Sequence, residues 1–209
     1  MTRLLHIVAS PRREESRTVA VAQRFIDRWR EREPGAEVDV LDLWSEALPE
    51  FDGDKAAAKL TVITGGLHTG RTRSAWDEIT AIAQRFIAAD VYVLSVPMWN
   101  GGVPYRLKLY IDLITQPGLL FGFDPAHGYR GLLSGKRALA VYASGVFAPG
   151  AEPAYGQDFH STYVDWWLRS AGIDRIETVR AQPLIATPEP ARVFEAALRA
   201  AESAADRLA

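Results

Sequence analysis

Leu4-Leu5-His6-Ile7-Val8-Ala9-Ser10-Pro11-Arg12-Arg13-Glu14-Glu15-Ser16-Arg17-Thr18 is the stretch that decides how this chain folds. Leu4 to Val8 is short and mostly apolar, as a buried strand is. A polar turn runs from Ser10 to Ser16. Val19, Ala22, Phe25, Ile26 and Trp29 then recur at helical spacing, while Arg24, Asp27, Arg28 and Arg30 take the other faces. Pro34-Gly35 closes the helix. The unit reads strand, loop, helix, and its loop holds no glycine.

Working outward, the alternation repeats. Val38 to Leu43 interleaves apolar and acidic residues and predicts a second strand near an edge. Trp44 to Ser74 is less regular, broken by Pro49, Gly53, Gly65, Gly66 and Gly70, and predicts interrupted helical pieces. Trp76, Ile79, Ala83, Phe86 and Ile87 mark a further helix, and Val91 to Val96 a continuous apolar strand ended by Pro97. Leu107, Tyr110, Ile111 and Ile114 share one helix face, and Ala138 to Ser144 is a fourth strand. Val164, Trp167, Leu168 and Ala171 form a helical stripe ending at Gly172, and Ile176 to Ile185 supplies a fifth strand. Thr187 is expected to cap the last helix, with Pro188 in its first turn.

Five strands alternating with helices predict an α/β fold, a doubly wound parallel sheet with helices on both faces. The dinucleotide fingerprint G-x-G-x-x-G is missing after the first strand, and G-x-x-x-x-G-K-[ST] occurs nowhere. The Ser/Thr-bearing first loop favours the flavodoxin-like order 2-1-3-4-5. With no repeat or linker in view, residues 1–209 are expected to form a single domain.

Composition narrows the function. Hydrophobic residues at 48% and charged residues at 24% suit a globular chain. A net charge of −2, from 24 basic and 26 acidic side chains, gives no electrostatic case for binding nucleic acid or an acidic membrane. Cysteine is absent, which excludes disulfides, thiolate metal sites and a cysteine nucleophile. Redox chemistry would need a bound organic cofactor or a non-thiolate metal. The first residues lack the pattern of a secretory signal and no run reaches the ~18 apolar residues of a membrane span, so a cytoplasmic protein is expected. His6 lies within the first strand, and His68, His127 and His160 are placed in polar loops. No H-x-x-x-H spacing or G-x-S-x-G elbow supports a metal site or a hydrolase triad.

In the order 2-1-3-4-5 the carboxyl ends of strands 1, 3 and 4 meet, and a ligand binds at that switch point. The first loop brings Ser10, then Ser16, Arg17 and Thr18 at the positive end of a helix, which suits a phosphate monoester. An ordinary N-cap serine is the other reading of Ser16. The second loop is Pro97-Met98-Trp99-Asn100-Gly101-Gly102-Val103-Pro104. Met98 and Trp99 suit a flat heteroaromatic ring, Asn100 its carbonyls and nitrogens, and the glycines a close approach of backbone. A plain strand-to-helix turn with a core Trp is the alternative. The third loop, Ala143-Ser144-Gly145-Val146, offers small residues and N–H donors, and by itself is equally a β-to-α turn.

Together these loops resemble the FMN-dependent NADH:quinone oxidoreductases, or azoreductases, over nearly the whole chain. The resemblance is carried by Ser10-Pro11-Arg12 with Ser16-Arg17-Thr18, by Pro97-Met98-Trp99-Asn100, and by Val103-Pro104-x-x-Leu107-Lys108-x-x-Ile111-Asp112. Gly131-Leu132-Leu133-x-Gly135-Lys136 and Ala171-Gly172-Ile173 are similar too. The resemblance implies FMN as cofactor, its phosphate on Ser10 and Ser16 to Thr18, its isoalloxazine along Pro97 to Asn100, and its pyrimidine side at Ala143 to Val146. It also implies a homodimer that completes the site, with Phe121 and Phe123 flanking the substrate pocket. Two departures stand out. Gly101 replaces the usual Phe, which is expected to widen the pocket, and Ser144-Gly145-Val146 replaces an Arg-Gly-Gly. Residues 54 to 74 match no pattern.

The implied activity is two-electron transfer from NADH or NADPH, through FMN, to a quinone or azo compound. No protein nucleophile is then required, because the cofactor carries the chemistry. Two other classes compete. An electron carrier of flavodoxin type is normally strongly acidic, unlike this chain. A flavin-free receiver domain needs clustered acids where Ser10-Pro11-Arg12 stands.

Overall fold

The computed structural model describes residues 1–209. Five parallel strands form the central sheet: β1 (Arg3–Val8), β2 (Glu37–Asp42), β3 (Val91–Pro97), β6 (Arg137–Ala143) and β7 (Arg175–Ala181), in the order β2-β1-β3-β6-β7. A two-stranded antiparallel hairpin, β4 (Phe121–Asp124) with β5 (Gly128–Gly131), interrupts the alternation. Counting only the main sheet, this is the 2-1-3-4-5 order read from the sequence. The central strands β1, β3 and β6 are buried almost throughout, whereas β2 and β7 show mixed burial. Two-sided burial is why the central strands read as unbroken apolar runs and the edges carry charge.

Helices cover both faces. On one side lie α1 (Arg17–Arg32) and α6 (Pro190–Leu208), packing Val21, Phe25, Ile26 and Trp29 against Leu4, Val91, Val93 and the alanine stripe Ala197, Ala201, Ala204 and Ala205. On the other lie α3 (Gly70–Ile87), α4 (Tyr105–Ile114) and α5 (Ser161–Ser170), around Phe86, Tyr92, Tyr110 and Trp167. Phe86 stacks on Tyr92 at 4.3 Å between ring centroids. Truncating a buried aromatic of this kind costs about 3–5 kcal/mol. The irregular stretch contains α2 (Gly53–Ile63), capped by the Asp52 carboxylate accepting from the Lys55 N–H at 3.0 Å, and α2 packs on α3.

Three expectations need correction. The fifth strand stops at Ala181, not Ile185. Pro183 has no N–H for the ladder, and the chain turns so that the Leu184 and Ile185 N–H groups bond instead to the Ser144 and Gly145 carbonyls, at 2.9 and 2.8 Å. The last helix starts at Pro190, not at Thr187 and Pro188. A residue before proline is driven from the α region, so Glu189, at φ −126° and ψ 56°, stays outside the helix. His160 does not sit in a polar loop; it is fully buried at the N-cap of α5.

The hairpin is held onto the body by glycine. Gly172 follows α5 at φ +98°, with the Gly172 N–H bonded to the Arg169 carbonyl at 2.9 Å and the Ile173 N–H to the Leu168 carbonyl at 3.0 Å. This is a Schellman closure, which favours glycine at that position. A Cβ on Gly131 would lie 2.2 Å from the Gly172 nitrogen, and one on Gly172 would lie 2.2 Å from the Leu133 carbonyl oxygen. Gly131→Ala and Gly172→Ala are each expected to lower stability by about 3 kcal/mol in urea unfolding, because backbone must move. Gly53→Ala, where nothing lies within 4 Å, is the control expected to change little.

Candidate functional site

At the carboxyl ends of β1, β3 and β6, the tops of three neighbouring strands enclose a cavity of about 350 Å³. Ser10, Ser16, Arg17 and Thr18 line one end; Pro97, Met98 and Trp99 line one wall; Ala143, Ser144 and Gly145 line the other. Residues from three loops far apart in sequence thus meet at the switch point. Asn100 and Val146 fall outside the lining, and Phe121 and Phe123 lie on the hairpin, also outside it. Arg12, Leu184 and Ile185 join the lining, and sequence reasoning missed them. The expected fifth strand includes Leu184 and Ile185, and only the turn after Ala181 brings them back to the cavity. Gly145 makes room for this: a Cβ there would lie 2.9 Å from Ile185 Cδ1.

The end lined by hydroxyls has donors that can meet an anion. Ser10, Ser16 and Thr18 are nearly fully buried, yet face the cavity. Ser16 occupies the N-cap of α1 but makes no side-chain cap bond; its Oγ lies 3.0 Å from Thr18 Oγ1 instead. The first-turn amides of a helix lack intrahelical partners, and here no serine cap or acidic side chain takes their place. Arg17 stacks on the Phe194 ring at 4.4 Å, and Arg12 pairs with Glu15 at 3.6 Å, so two guanidinium groups flank the opening. Arg13 turns away to Asp42 at 3.1 Å.

The other walls are flat and weakly polar. The Met98 N–H bonds to the Ala143 carbonyl at 2.8 Å, which ties the two walls together. Trp99 packs against Trp44 at 5.7 Å, and Trp44 is itself anchored by its indole N–H to the Ala9 carbonyl at 3.0 Å. Trp99 and Gly102 exchange N–H···O bonds, both 2.9 Å, across Asn100 at φ +51° and Gly101 at φ +80°. That is the two-residue Asn-Gly turn of type I′, which requires positive φ at both positions. The space beside Gly101 is not left open, contrary to expectation. The Phe159 N–H bonds to the Gly101 carbonyl at 3.0 Å, and a Cβ at Gly101 would lie 3.1 Å from the Gln157 carbonyl and 3.6 Å from the Phe159 ring. The Ser144 hydroxyl bonds to the Phe147 carbonyl and shapes the third loop.

The cavity lining contains no carboxylate and no histidine. An anion cradle joined to a flat slot can hold and orient a phosphorylated planar molecule, while acid–base catalysis from the walls has no group to perform it.

A family described as having a flavodoxin-like fold matches residues 2–205. The FMN-dependent NADH:quinone oxidoreductase of Ruegeria pomeroyi is 49% identical over 98% of this chain and 100% of its own length. The chain belongs to the FMN-dependent NADH:quinone oxidoreductase family. Solved members of similar shape include an azoreductase from Bacillus anthracis, at TM-score 0.88 and 26% identity, covering 99% of this chain and 100% of that one. A second, an FMN-dependent NADH-azoreductase from Bacillus anthracis in complex with FMN, has TM-score 0.85 and 26% identity, with both chains covered completely.

Two buried histidines lie behind the site. Burial pushes the His6 imidazole down to about 4. Burial likewise pushes His160 to about 4, outweighing the pull of Asp158 and the Val96 carbonyl, and neither His160 ring nitrogen makes a well-formed hydrogen bond. The unfolded chain, with histidines near 6.5, takes up protons that the folded chain refuses. Stability from these groups is therefore intact above pH 6.5 and falls as pH drops toward about 4, by roughly 3 kcal/mol for each imidazole. Guanidinium unfolding at pH 7, 5.5 and 4.5 is expected to show this loss, and His160→Gln to flatten it. Equal stability at all three values would contradict it.

Proposed function

We propose that this chain is an FMN-dependent NAD(P)H oxidoreductase whose acceptors are quinones or azo compounds. The observation that carries the reading is the convergence of an uncapped helix start, buried hydroxyls and a flat slot in one cavity. The donor set fits a phosphomonoester, and Met98 and Trp99 fit a ring system. The names of the relatives point to the same cofactor and donor.

When bound, FMN would supply the two-electron redox chemistry between a reduced nicotinamide and the acceptor. The chain supplies placement. Ser10, Ser16, Arg17 and Thr18, at one end of the cavity, would bind the phosphate. Pro97, Met98 and Trp99 would hold one side of the isoalloxazine and Ala143, Ser144 and Gly145 would meet its pyrimidine side, while Asn100 and Val146, next in each loop and outside the cavity lining, would reach only the part of the ring that extends beyond it. An amide N–H at Gly145, which lines the cavity, or at Val146 beside it would stabilise negative charge there without reorganising. Trp99, braced by Trp44, keeps water from one side and leaves the open side for donor and acceptor in turn. Holding reactants near attack distance accounts for rate without a protein nucleophile.

The reading extends to a cytoplasmic homodimer of a single-domain chain. Phe123 and Tyr129, both exposed and packed together at 5.0 Å on the hairpin, support a partner surface there, since paired large aromatics in water favour association. Phe121 and Phe123 are assigned to the substrate side completed by that partner. No helix is long and apolar enough to cross a membrane. A pure electron carrier is less well supported, because a net charge of −2 offers little steering toward a protein partner.

Purified protein is expected to bind FMN, turn yellow, bleach anaerobically with NADH or NADPH, and regain colour with a quinone or an azo dye. Protein that FMN cannot colour overturns the reading. Ser16→Ala combined with Thr18→Ala is expected to weaken FMN binding at least tenfold, while apoprotein stability changes by no more than about 1 kcal/mol.

A further inference from the structure

Behind the anion end runs a hydrogen-bond chain that the proposed chemistry leaves unused. His6 is the one polar side chain between Leu4 and Val8, and it is 2% exposed. Strand alternation places it with Leu4 on the α1 side of the sheet, and places Ser95 with Val91 and Val93 on that same side. His6 Nε2 lies 2.7 Å from Ser95 Oγ, and Ser95 Oγ lies 3.3 Å from the Thr18 carbonyl oxygen.

The proton positions follow from counting. A hydroxyl carries one proton, and a carbonyl only accepts. Both contacts are satisfied in one arrangement: Ser95 donates to Thr18 and accepts from the His6 Nε2–H. Burial keeps the ring neutral, so Nδ1 is the bare nitrogen. Two buried groups that merely satisfied each other would not need the third partner. Here that partner is the backbone of the residue whose hydroxyl pairs with Ser16 at 3.0 Å.

We infer that His6 and Ser95 are positioning residues for the phosphate end of the site. Through the Thr18 carbonyl they hold the first turn of α1 where its amides and the Ser16 and Thr18 hydroxyls converge on a phosphomonoester. This rests on the flavin reading above and concerns recognition of the phosphate, not of the ring.

The test compares dissociation constants for FMN and riboflavin, which share the ring and differ in the phosphate, on the full-length protein. Wild type is expected to prefer FMN strongly. Ser95→Ala is expected to narrow that preference by about five- to tenfold, through weaker FMN binding alone. His6→Leu is expected to do the same, and His6→Gln, which keeps a donor at similar reach, to stay near wild type. Should His6→Leu fail to fold, Ser95→Ala against His6→Gln carries the comparison. An unchanged ratio in Ser95→Ala, or a parallel loss of both ligands, overturns the positioning role alone. A wild type that binds riboflavin as tightly as FMN overturns the phosphate assignment, and this inference with it.

Discussion

Unpaired amides at the start of α1 constrain everything around them. A helix start near the carboxyl end of a central strand needs partners for its N–H groups. Ser16 stands where a cap belongs, yet its hydroxyl turns to Thr18. The first turn therefore leaves its N–H groups free for an anion, as the proposed phosphate would be. The neighbouring loop is rich in hydroxyls and guanidinium groups and free of glycine, so side chains, and not a glycine-rich backbone alone, would complete such a cradle.

The sheet exists to hold that helix start in register with two other strand ends. Parallel pairing of β1 with β3 and of β3 with β6 brings Ser10, Pro97 and Ala143 to the same end of the sheet. Packing of Phe25 and Trp29 against α6 fixes α1 on one face. The aromatic cluster of Phe86, Tyr92 and Trp167 fixes the opposite face. Rigid strands and movable loops divide the labour: the strands determine where the loops begin, and the loops determine what is bound.

The second and third loops show how local backbone rules shape a wall. Asn100-Gly101 takes the one turn type that two residues of positive φ allow, and the Gln157–Phe159 segment settles against it. Substituting a glycine in this turn thus changes the neighbour that fills the space without emptying it. Gly145 acts in the same way for Ile185.

Much of this was readable from residues alone. Apolar runs at Leu4 to Val8 and Val91 to Val96, and a glycine-free hydroxyl loop between strand and helix, determine the layered sheet, its order and the site's main loops, because burial and helix-start chemistry are local in sequence. Tertiary structure decided the rest. The hairpin at 121–131 carries too few apolar residues to announce itself, and it is held by glycine contacts with a distant helix end. Leu184 and Ile185 reach the cavity only because their N–H groups pair with the third loop, and the His6–Ser95–Thr18 chain links positions up to 89 residues apart. Contacts between distant segments leave no periodicity in either segment, so only the folded chain reveals them.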